Sequence, residues 1–235
     1  MKKLLTILFL LFALPAYAVT ATFQEGVSSY AGTTDNQLVE SDPTTNYDGS
    51  SLTHPHAFTN FPYTNLIKFD LTSITGPVTV SAASLEVVIK SGLSNDGCIS
   101  HIRRLKRDWG ETTSTWNTYD GSNGWGTAGA LNTTTDITAS DDASNTASGI
   151  TAPTTITISG LEALVEGWIN GDYPNYGMLL FSNAEGDAVG VAGDSEDATS
   201  SNRPLLTVTY TVVETPATTS NASLSGGTFN NANLN

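Results

Sequence analysis

The sequence predicts an all-β fold for residues 19–213, a two-sheet sandwich that carries one short helix. Several short segments alternate apolar and polar residues, which is the pattern of a strand with one buried face. Clusters of Gly, Asn, Asp and Pro separate these segments, and such residues favour turns. One segment instead repeats its apolar residues at helical spacing. Short strands at regular spacing with turn signals between them are typical of a sandwich.

The first predicted strand lies within residues 19–30, whose first half alternates apolar and polar side chains. Residues 33–63 are predicted to be rich in loops, because Asp42-Pro43 and Asp48-Gly49 are turn signals. Residues 64–71 predict a second strand, since alternate side chains there form one apolar face.

The later strands follow from the same alternation. Residues 176–182 are apolar on both faces, which predicts a strand in the centre of a sheet. Residues 109–152 are polar and lack a clear period, and residues 186–198 predict an acidic loop that contains glycine. The other predicted strands are 78–89, 99–108, 154–158 and 205–213.

A single helix is predicted after Ser159. Ser159 is a suitable N-cap residue, and Glu162 completes a capping box three residues later. Gly171 predicts the end of the helix. The apolar residues at helical spacing, all expected in the core, are Leu161, Leu164, Val165 and Trp168.

Residues 1–18 have the pattern of a signal peptide. Two lysines precede an apolar stretch from Leu4 to Leu14, and Ala16-Tyr17-Ala18 is a cleavage signal. The apolar stretch is shorter than the ~20 residues of a membrane-spanning helix. We therefore expect a secreted, extracellular protein without membrane insertion, whose mature chain begins at Val19.

Residues 214–235 differ in composition from the predicted domain. The first part is a linker that contains Thr, Pro and Ala. Leu224, Phe229 and Leu234 then recur every five residues. Two interpretations stay open: the start of a pentapeptide-repeat region in a longer protein with further C-terminal domains, or a chance recurrence in a tail rich in Asn and Ser.

The composition is acidic, with 23 Asp and Glu against 9 Lys and Arg. Residues 1–18 contain two of the basic residues and no acidic ones, so the mature chain has a net charge of −16. This charge argues against nucleic acid as a partner. Cys98 is the single cysteine, which excludes an intramolecular disulfide and indicates a small buried apolar residue.

Four of the seven cations of the mature chain lie close together, at Arg103, Arg104, Lys106 and Arg107. On an extended segment, Arg103 and Arg107 would share one face, and Arg104 and Lys106 the other. Arginine forms bidentate hydrogen bonds with carboxylates, so this group predicts a binding surface for acidic sugars. In the alternative interpretation, the same cations pair with Asp and Glu on neighbouring strands.

Aromatic side chains are a second requirement for sugar binding, because the C–H face of a pyranose ring stacks on a flat ring. Four aromatic residues fall between positions 109 and 125. Trp109 and Trp116 are expected to pack in the core. Trp125, which is flanked by glycines, and Tyr119 are the candidate ligand-binding aromatics, with Trp125 as an exposed platform.

Two groups of acidic residues have the oxygen ligands that Ca²⁺ prefers. Neither group matches a defined calcium loop, so a structural Ca²⁺ and a solvated acidic loop are both open, and the solvated loop is favoured. The groups are Asp194, Glu196 and Asp197, and Asp136, Asp141 and Asp142.

The sequence predicts no catalytic site. The three histidines are His54, His56 and His101, and the HExxH, Gly-x-Ser-x-Gly and P-loop patterns are absent. A pair of carboxylates can hydrolyse a glycosidic bond, but the sequence singles out no pair among the acidic residues. We expect a protein that is not an enzyme.

Five segments in this order resemble the DNRLRE domain, also grouped as carbohydrate-binding module family 96, over about residues 20–210. They are residues 23–35, 66–74, 107–117, 164–177 and 203–210. The resemblance implies an exported jelly-roll β-sandwich, often one part of a surface protein or a polysaccharide-degrading enzyme. It also implies binding of an acidic polysaccharide such as alginate. The alternative function is a structural or adhesive extracellular spacer in a larger surface protein.

Overall fold

A computed structural model of the chain describes residues 17–54, 63–92, 98–147, 151–181 and 190–213. Most of the expected signal peptide, the tail after residue 213, His56 and the side chain of Cys98 lie outside the described residues. The described residues form eleven β-strands, one α-helix and one short 3-10 helix.

Two antiparallel sheets make up the domain. Sheet A contains β1 (Val19–Gln24), β3 (Thr53–His54), β5 (Val78–Ser91), β8 (Thr154–Ser159), β10 (Gly190–Ala192) and β11 (Leu205–Val212). Sheet B contains β2 (Thr33–Val39), β4 (Tyr63–Phe69), β6 (Cys98–Arg104), β7 (Ala143–Ala147) and β9 (Met178–Phe181). The first six strands alternate between the sheets, as in a jelly roll. The predicted all-β sandwich is therefore confirmed.

The inner core lies between the two sheets. Sheet B contributes Ile67 and Phe69 from β4, and sheet A contributes Leu85 and Ile89 from β5. These side chains are almost completely buried. Burial of a side chain of this size stabilises the fold by about 1.5–3 kcal/mol, so the inner core is the main source of stability.

A second apolar cluster, the outer core, covers the opposite face of sheet B. Leu66 of β4 and Leu179 of β9 pack there under the chain that follows β6. The residues of this covering loop in the cluster are Leu105, Trp109, Trp116, Trp125, Ala130 and Ile137. Sheet B is therefore buried on both faces, and β9 lies between β4 and β6, as its two apolar faces predict.

Strand β2 corrects the prediction that residues 33–63 are rich in loops. Asp35, Asn36 and Gln37 are polar but buried, so no apolar alternation marks the strand. Their burial is compensated by hydrogen bonds across the domain. Asn36 Nδ2 donates to Ser114 O and Oγ of the covering loop at 2.9 and 2.7 Å, and Ser195 N donates to Asp35 Oδ2 at 2.7 Å.

Helix α1 (Glu162–Asn170) packs beside β5, and its apolar residues join the inner core. The expected Ser159 cap is wrong, because Ser159 is the last residue of β8 and no side chain caps the helix. Gly171 ends the helix as predicted, with a φ of 78°, where glycine is the favoured residue. This helix is too short to span a membrane, and no other helix in the described part of the chain is long and apolar enough.

Side chains of the helix also accept hydrogen bonds from backbone N–H groups of β5 that β8 does not pair with. Strand β8 pairs with β5 only from Ser84 to Ile89. Before that point, Val80 N donates to Glu166 Oε2 at 2.8 Å, and Val78 N donates to Asn170 Oδ1 at 2.9 Å. Helix side chains thus replace a strand at this edge and fix the position of α1.

Candidate functional site

The four predicted cations separate into two regions, because β6 ends at Arg104. Arg103 pairs with Leu179 of the outer core, and Arg104 pairs with Met178 of the inner core. Successive side chains of a strand point to opposite faces, so the two arginines emerge on different sides of sheet B. The predicted pairing of Arg103 with Arg107 on one extended face is wrong, since the strand does not continue to Arg107.

Arg103 is held by one carboxylate and one ring. Its Nε atom donates to Asp141 Oδ1 at 2.8 Å, and its guanidinium lies 5.1 Å from the ring centre of Phe181. His101 also contacts the Asp141 carboxylate, at 2.6 Å. Burial opposes ionisation of Asp141, but the hydrogen bonds from Arg103 and His101 outweigh it and lower the pKa of Asp141.

Arg104 has a different environment. Its guanidinium lies 4.0 Å from the ring centre of Tyr173, a close cation–π contact. Among the described residues, no carboxylate is within ion-pair distance of this guanidinium. The side chain is half-buried, so the ring holds the cation at the surface while its N–H groups stay uncommitted.

Tyr173 owes its position to a glycine in the helix. A Cβ atom on Gly167 would lie 2.3 Å from the Tyr173 ring, so only glycine allows this approach. The Tyr173 hydroxyl donates to Ala163 O and Leu164 O at 3.0 and 3.2 Å. Burial raises the pKa of Tyr173, although the Arg104 charge opposes this shift. The ring under Arg104 is therefore rigidly attached to α1.

Lys106 and Arg107 are bound to the covering loop instead. Lys106 Nζ donates to Thr133 O at 2.9 Å. Arg107 Nε lies 3.2 Å from Asp136 Oδ1, and its guanidinium lies 4.5 Å from the Tyr119 ring centre. For these two cations, the structure agrees with the alternative interpretation, in which the charges have partners within the domain.

Asp136 organises that loop. It is 0% exposed and accepts hydrogen bonds from Gly126 N, Thr127 N and Asn132 N at 3.0–3.2 Å. Together with the Arg107 pair, these bonds satisfy both carboxylate oxygens. Asp136 is thus a structural anion and leaves no open ligand position for a cation such as Ca²⁺.

Trp125 is not the exposed platform that its flanking glycines suggested. It is only 7% exposed, because it packs in the outer core, and its indole N–H donates to Thr115 O at 2.9 Å. Tyr119 lies against its edge, with ring centres 5.7 Å apart. Trp109 and Trp116 are buried in the same cluster, as expected.

Two of the other acidic candidates also have protein partners. Asp197 forms an ion pair with Lys90 at 2.6 Å, and Asp142 accepts from Arg104 N at 2.7 Å. Within the described residues, no group of three or more His, Cys, Asp or Glu side chains is arranged to hold a metal ion. The part of the chain that the structure describes therefore gives the calcium interpretation no support.

A buried carboxyl that sequence reasoning missed lies on β2. Asp35 is 1% exposed. Burial, with the nearby charges of Glu196 and Asp194, raises the pKa of Asp35 to about 8. Burial also raises the pKa of Glu111, whose Oε1 accepts from Asp35 N at 3.0 Å. Sequence periodicity could not predict that Asp35 is buried, since the residues around it are far away in the sequence.

The domain is thus a two-sheet sandwich with arginines on aromatic rings at the end of β6. In the comparison of the sequence with family profiles, the profile described as carbohydrate-binding module family 96 matches residues 28–210. The chain therefore belongs to carbohydrate-binding module family 96. No curated protein matches the chain.

Proposed function

We propose that this domain is a non-catalytic module that binds an acidic polysaccharide such as alginate at the end of β6. The observation that carries the proposal is the state of the Arg104 guanidinium, which lies over the Tyr173 ring and has no carboxylate within ion-pair distance among the described residues. Arg103, on the other side of the strand end, has one of its N–H donors occupied by Asp141.

Stacking explains why Arg104 suits a uronate. A ring contacts the flat face of a guanidinium, whereas the N–H donors point outward in its plane. Those donors match the two oxygens of a carboxylate, and bidentate pairs of this kind are about twice as strong as neutral hydrogen bonds. A preorganised side chain also loses less conformational entropy on binding. Arg104 therefore has the geometry of a carboxylate receptor.

The overall charge limits how such a ligand is held. The chain has a formal net charge of −14, so a polyanion is repelled at long range. Affinity must come from short contacts at Arg104 and Arg103 and from apolar contact with sugar rings. We expect the affinity to depend on the spacing of carboxylates along the polymer rather than on its total charge.

Affinity gel electrophoresis tests the proposal. We expect alginate in the gel to retard the wild-type domain, and neutral glucans of equal viscosity to retard it less. Arg104→Ala should weaken retention by about tenfold, the effect of losing one charge-assisted contact of roughly 1.4 kcal/mol. Lys90→Ala is the matched control, because it removes one positive charge from a different part of the domain.

Two results would contradict the proposal. One is a wild-type domain that no acidic polysaccharide retards. The other is equal retention of Arg104→Ala and Lys90→Ala. If neither acidic nor neutral polysaccharides retard the folded domain, the spacer function is favoured. The internal pairing of Arg103, Lys106 and Arg107 is the observation that supports that second candidate.

We also propose that the domain is exported, on the basis of the basic start, the apolar stretch and the cleavage signal in residues 1–18. Expression of the full chain in a bacterial host tests this. We expect a product outside the cytoplasm whose N-terminal residue is Val19. A cytoplasmic product that retains Met1 would contradict it.

A further inference from the structure

A cavity of about 550 Å³ opens on the same end of the sandwich as helix α1. Its walls come from the start of β2, the end of β4, the turn that follows β4, and α1. The volume falls within the range of about 300–1,000 Å³ that is usual for small-molecule sites. A smaller cavity of about 140 Å³ lies next to it and shares Gly32, Asp70 and Thr72.

The rim adds polar groups that are already held in place. Asp70 Oδ1 accepts from Thr72 N at 2.8 Å, and its hydrogen bonds with Thr72 lower the pKa of Asp70. Asn175 donates to Phe69 O at 2.8 Å and accepts from Gly177 N at 3.1 Å. Each of these side chains keeps hydrogen-bonding capacity for a further partner. The rim thus presents a fixed carboxylate and a fixed amide.

The rest of the wall is apolar, with Phe69, Leu71, Ile74 and Ile169. A pyranose has the matching surfaces, because its C–H groups are apolar and its hydroxyl groups both donate and accept. The charges favour a neutral sugar over a uronate. Asp70 is an exposed anion at the rim, and the one cation of the wall, Lys68, lies 3.6 Å from Asp108.

We propose that this cavity is a second carbohydrate site, which takes a neutral hexose unit of a glycan. The site lies apart from Arg104 and Tyr173, neither of which lines it. It depends on the carbohydrate-binding class of the domain but not on the acidic ligand proposed for the end of β6. A domain with both sites would recognise a polymer, or a pair of polymers, that carries acidic and neutral sugars.

Isothermal titration with defined oligosaccharides tests this proposal. The probes are cellohexaose, laminarihexaose and mannohexaose as neutral ligands, and an alginate hexasaccharide as the acidic one. We expect at least one neutral probe to bind the wild-type domain. Asp70→Asn should weaken that binding by about fivefold or more, the usual scale for one weakened hydrogen bond. The variant should not change binding of the alginate probe.

The control for Asp70→Asn is Asp120→Asn. Asp120 is an exposed aspartate that accepts from Ser122 N at 2.9 Å in the same type of turn, but it does not line the cavity. It should leave both ligands unaffected, and Arg104→Ala should affect only the alginate probe. Thermal unfolding of each variant confirms that the fold is retained.

Each other outcome overturns the proposal in a distinct way. If no neutral probe binds while alginate does, the cavity is not a sugar site and the function proposed for β6 stands. If a neutral probe binds equally to all variants, its site lies elsewhere. If alginate displaces the neutral probe competitively, there is one site rather than two. If neither class binds, both proposals fail together.

Discussion

Two arginines of this domain stack on tyrosine rings, and they serve different purposes. Arg107 lies 4.5 Å from Tyr119 and Arg104 lies 4.0 Å from Tyr173. Arg107 also pairs with the buried carboxylate of Asp136, whereas Arg104 has no such partner among the described residues. Stacking alone therefore does not identify a ligand site. The two arginines differ in whether the N–H donors in the plane of the guanidinium group already have a carboxylate partner.

The surroundings of the two arginines explain this difference. The loop around Arg107 covers the outer face of sheet B and needs internal bonds to hold its shape, because it contains little regular structure. Tyr173, in contrast, is attached to α1 through the Gly167 contact, so Arg104 is not needed to hold the fold. A cation without a structural role is free to bind a ligand.

The largest expected effect on stability comes from removing Asp136, the buried partner of Arg107. Asp136→Ala removes a fully buried anion and leaves several N–H groups of the loop and the Arg107 charge without a partner. Loss of one partner of a buried pair costs about 3–5 kcal/mol. Urea unfolding should show a decrease of this size in the free energy of unfolding.

Asp120→Ala provides the control for that experiment, since Asp120 accepts two turn N–H groups but is exposed. It should lower the free energy of unfolding much less than Asp136→Ala does, because substitutions at exposed positions have small effects. Equal losses in the two variants would contradict the structural role given to Asp136.

A second prediction contrasts Asp136 with Asp35, the buried carboxyl that has carboxylate neighbours instead of a cation. The pKa of Asp35 is about 8 in the fold, against about 3.9 for an unperturbed aspartate. Between these two values, Asp35 is ionised mainly in the unfolded chain. Stability must therefore fall as pH rises from about 4 to 8, by up to roughly 1.4 kcal/mol per pH unit from this group.

Asp35→Asn tests this pH dependence, because asparagine keeps an acceptor for Ser195 N and cannot ionise. Relative to the wild-type domain, the variant should gain stability steadily between pH 5 and pH 8. Unfolding midpoints measured across that range give the comparison. Parallel pH profiles for the two proteins would show that Asp35 is already ionised in the fold.

The smallest expected effects on stability are those of replacing the two arginines, and they should differ between Arg107 and Arg104. Arg107→Ala leaves the Asp136 carboxylate buried without its cation and should cost about 1–3 kcal/mol. Arg104→Ala removes only a cation–π contact and should cost about 0.5–1 kcal/mol. Circular dichroism during thermal unfolding measures both. A larger loss for Arg104→Ala than for Arg107→Ala would reverse their assignments.

Much of the fold follows from local sequence patterns. The strands β4, β5, β8, β9 and β11 and the end of α1 were predicted because each depends on periodicity or a glycine in its own segment. Strand β2 was missed, since its polar residues are buried by bonds to Ser114 and Ser195, far away in the chain. Local alternation cannot report such partners.

The candidate site was predicted only in part. The sequence indicated a group of cations, but it could not show which of them are paired, because Asp136 and Asp141 reach them through folding. Trp125 was predicted as exposed because glycines flank it, yet the covering loop folds it onto sheet B. The Tyr173 ring under Arg104 was not predicted, since the contact depends on Gly167 in the helix.

The most direct test of the account observes the arginine side chains themselves. In ¹⁵N-labelled domain, each arginine gives an Nε–Hε signal in the NMR spectrum, which single Arg→Lys variants assign. We predict that an alginate hexasaccharide shifts the signal of Arg104 most, that of Arg103 less, and those of Arg107 and Arg203 not at all. Saturating alginate that leaves the Arg104 signal unchanged would contradict the central claim that this uncommitted cation binds the acidic sugar.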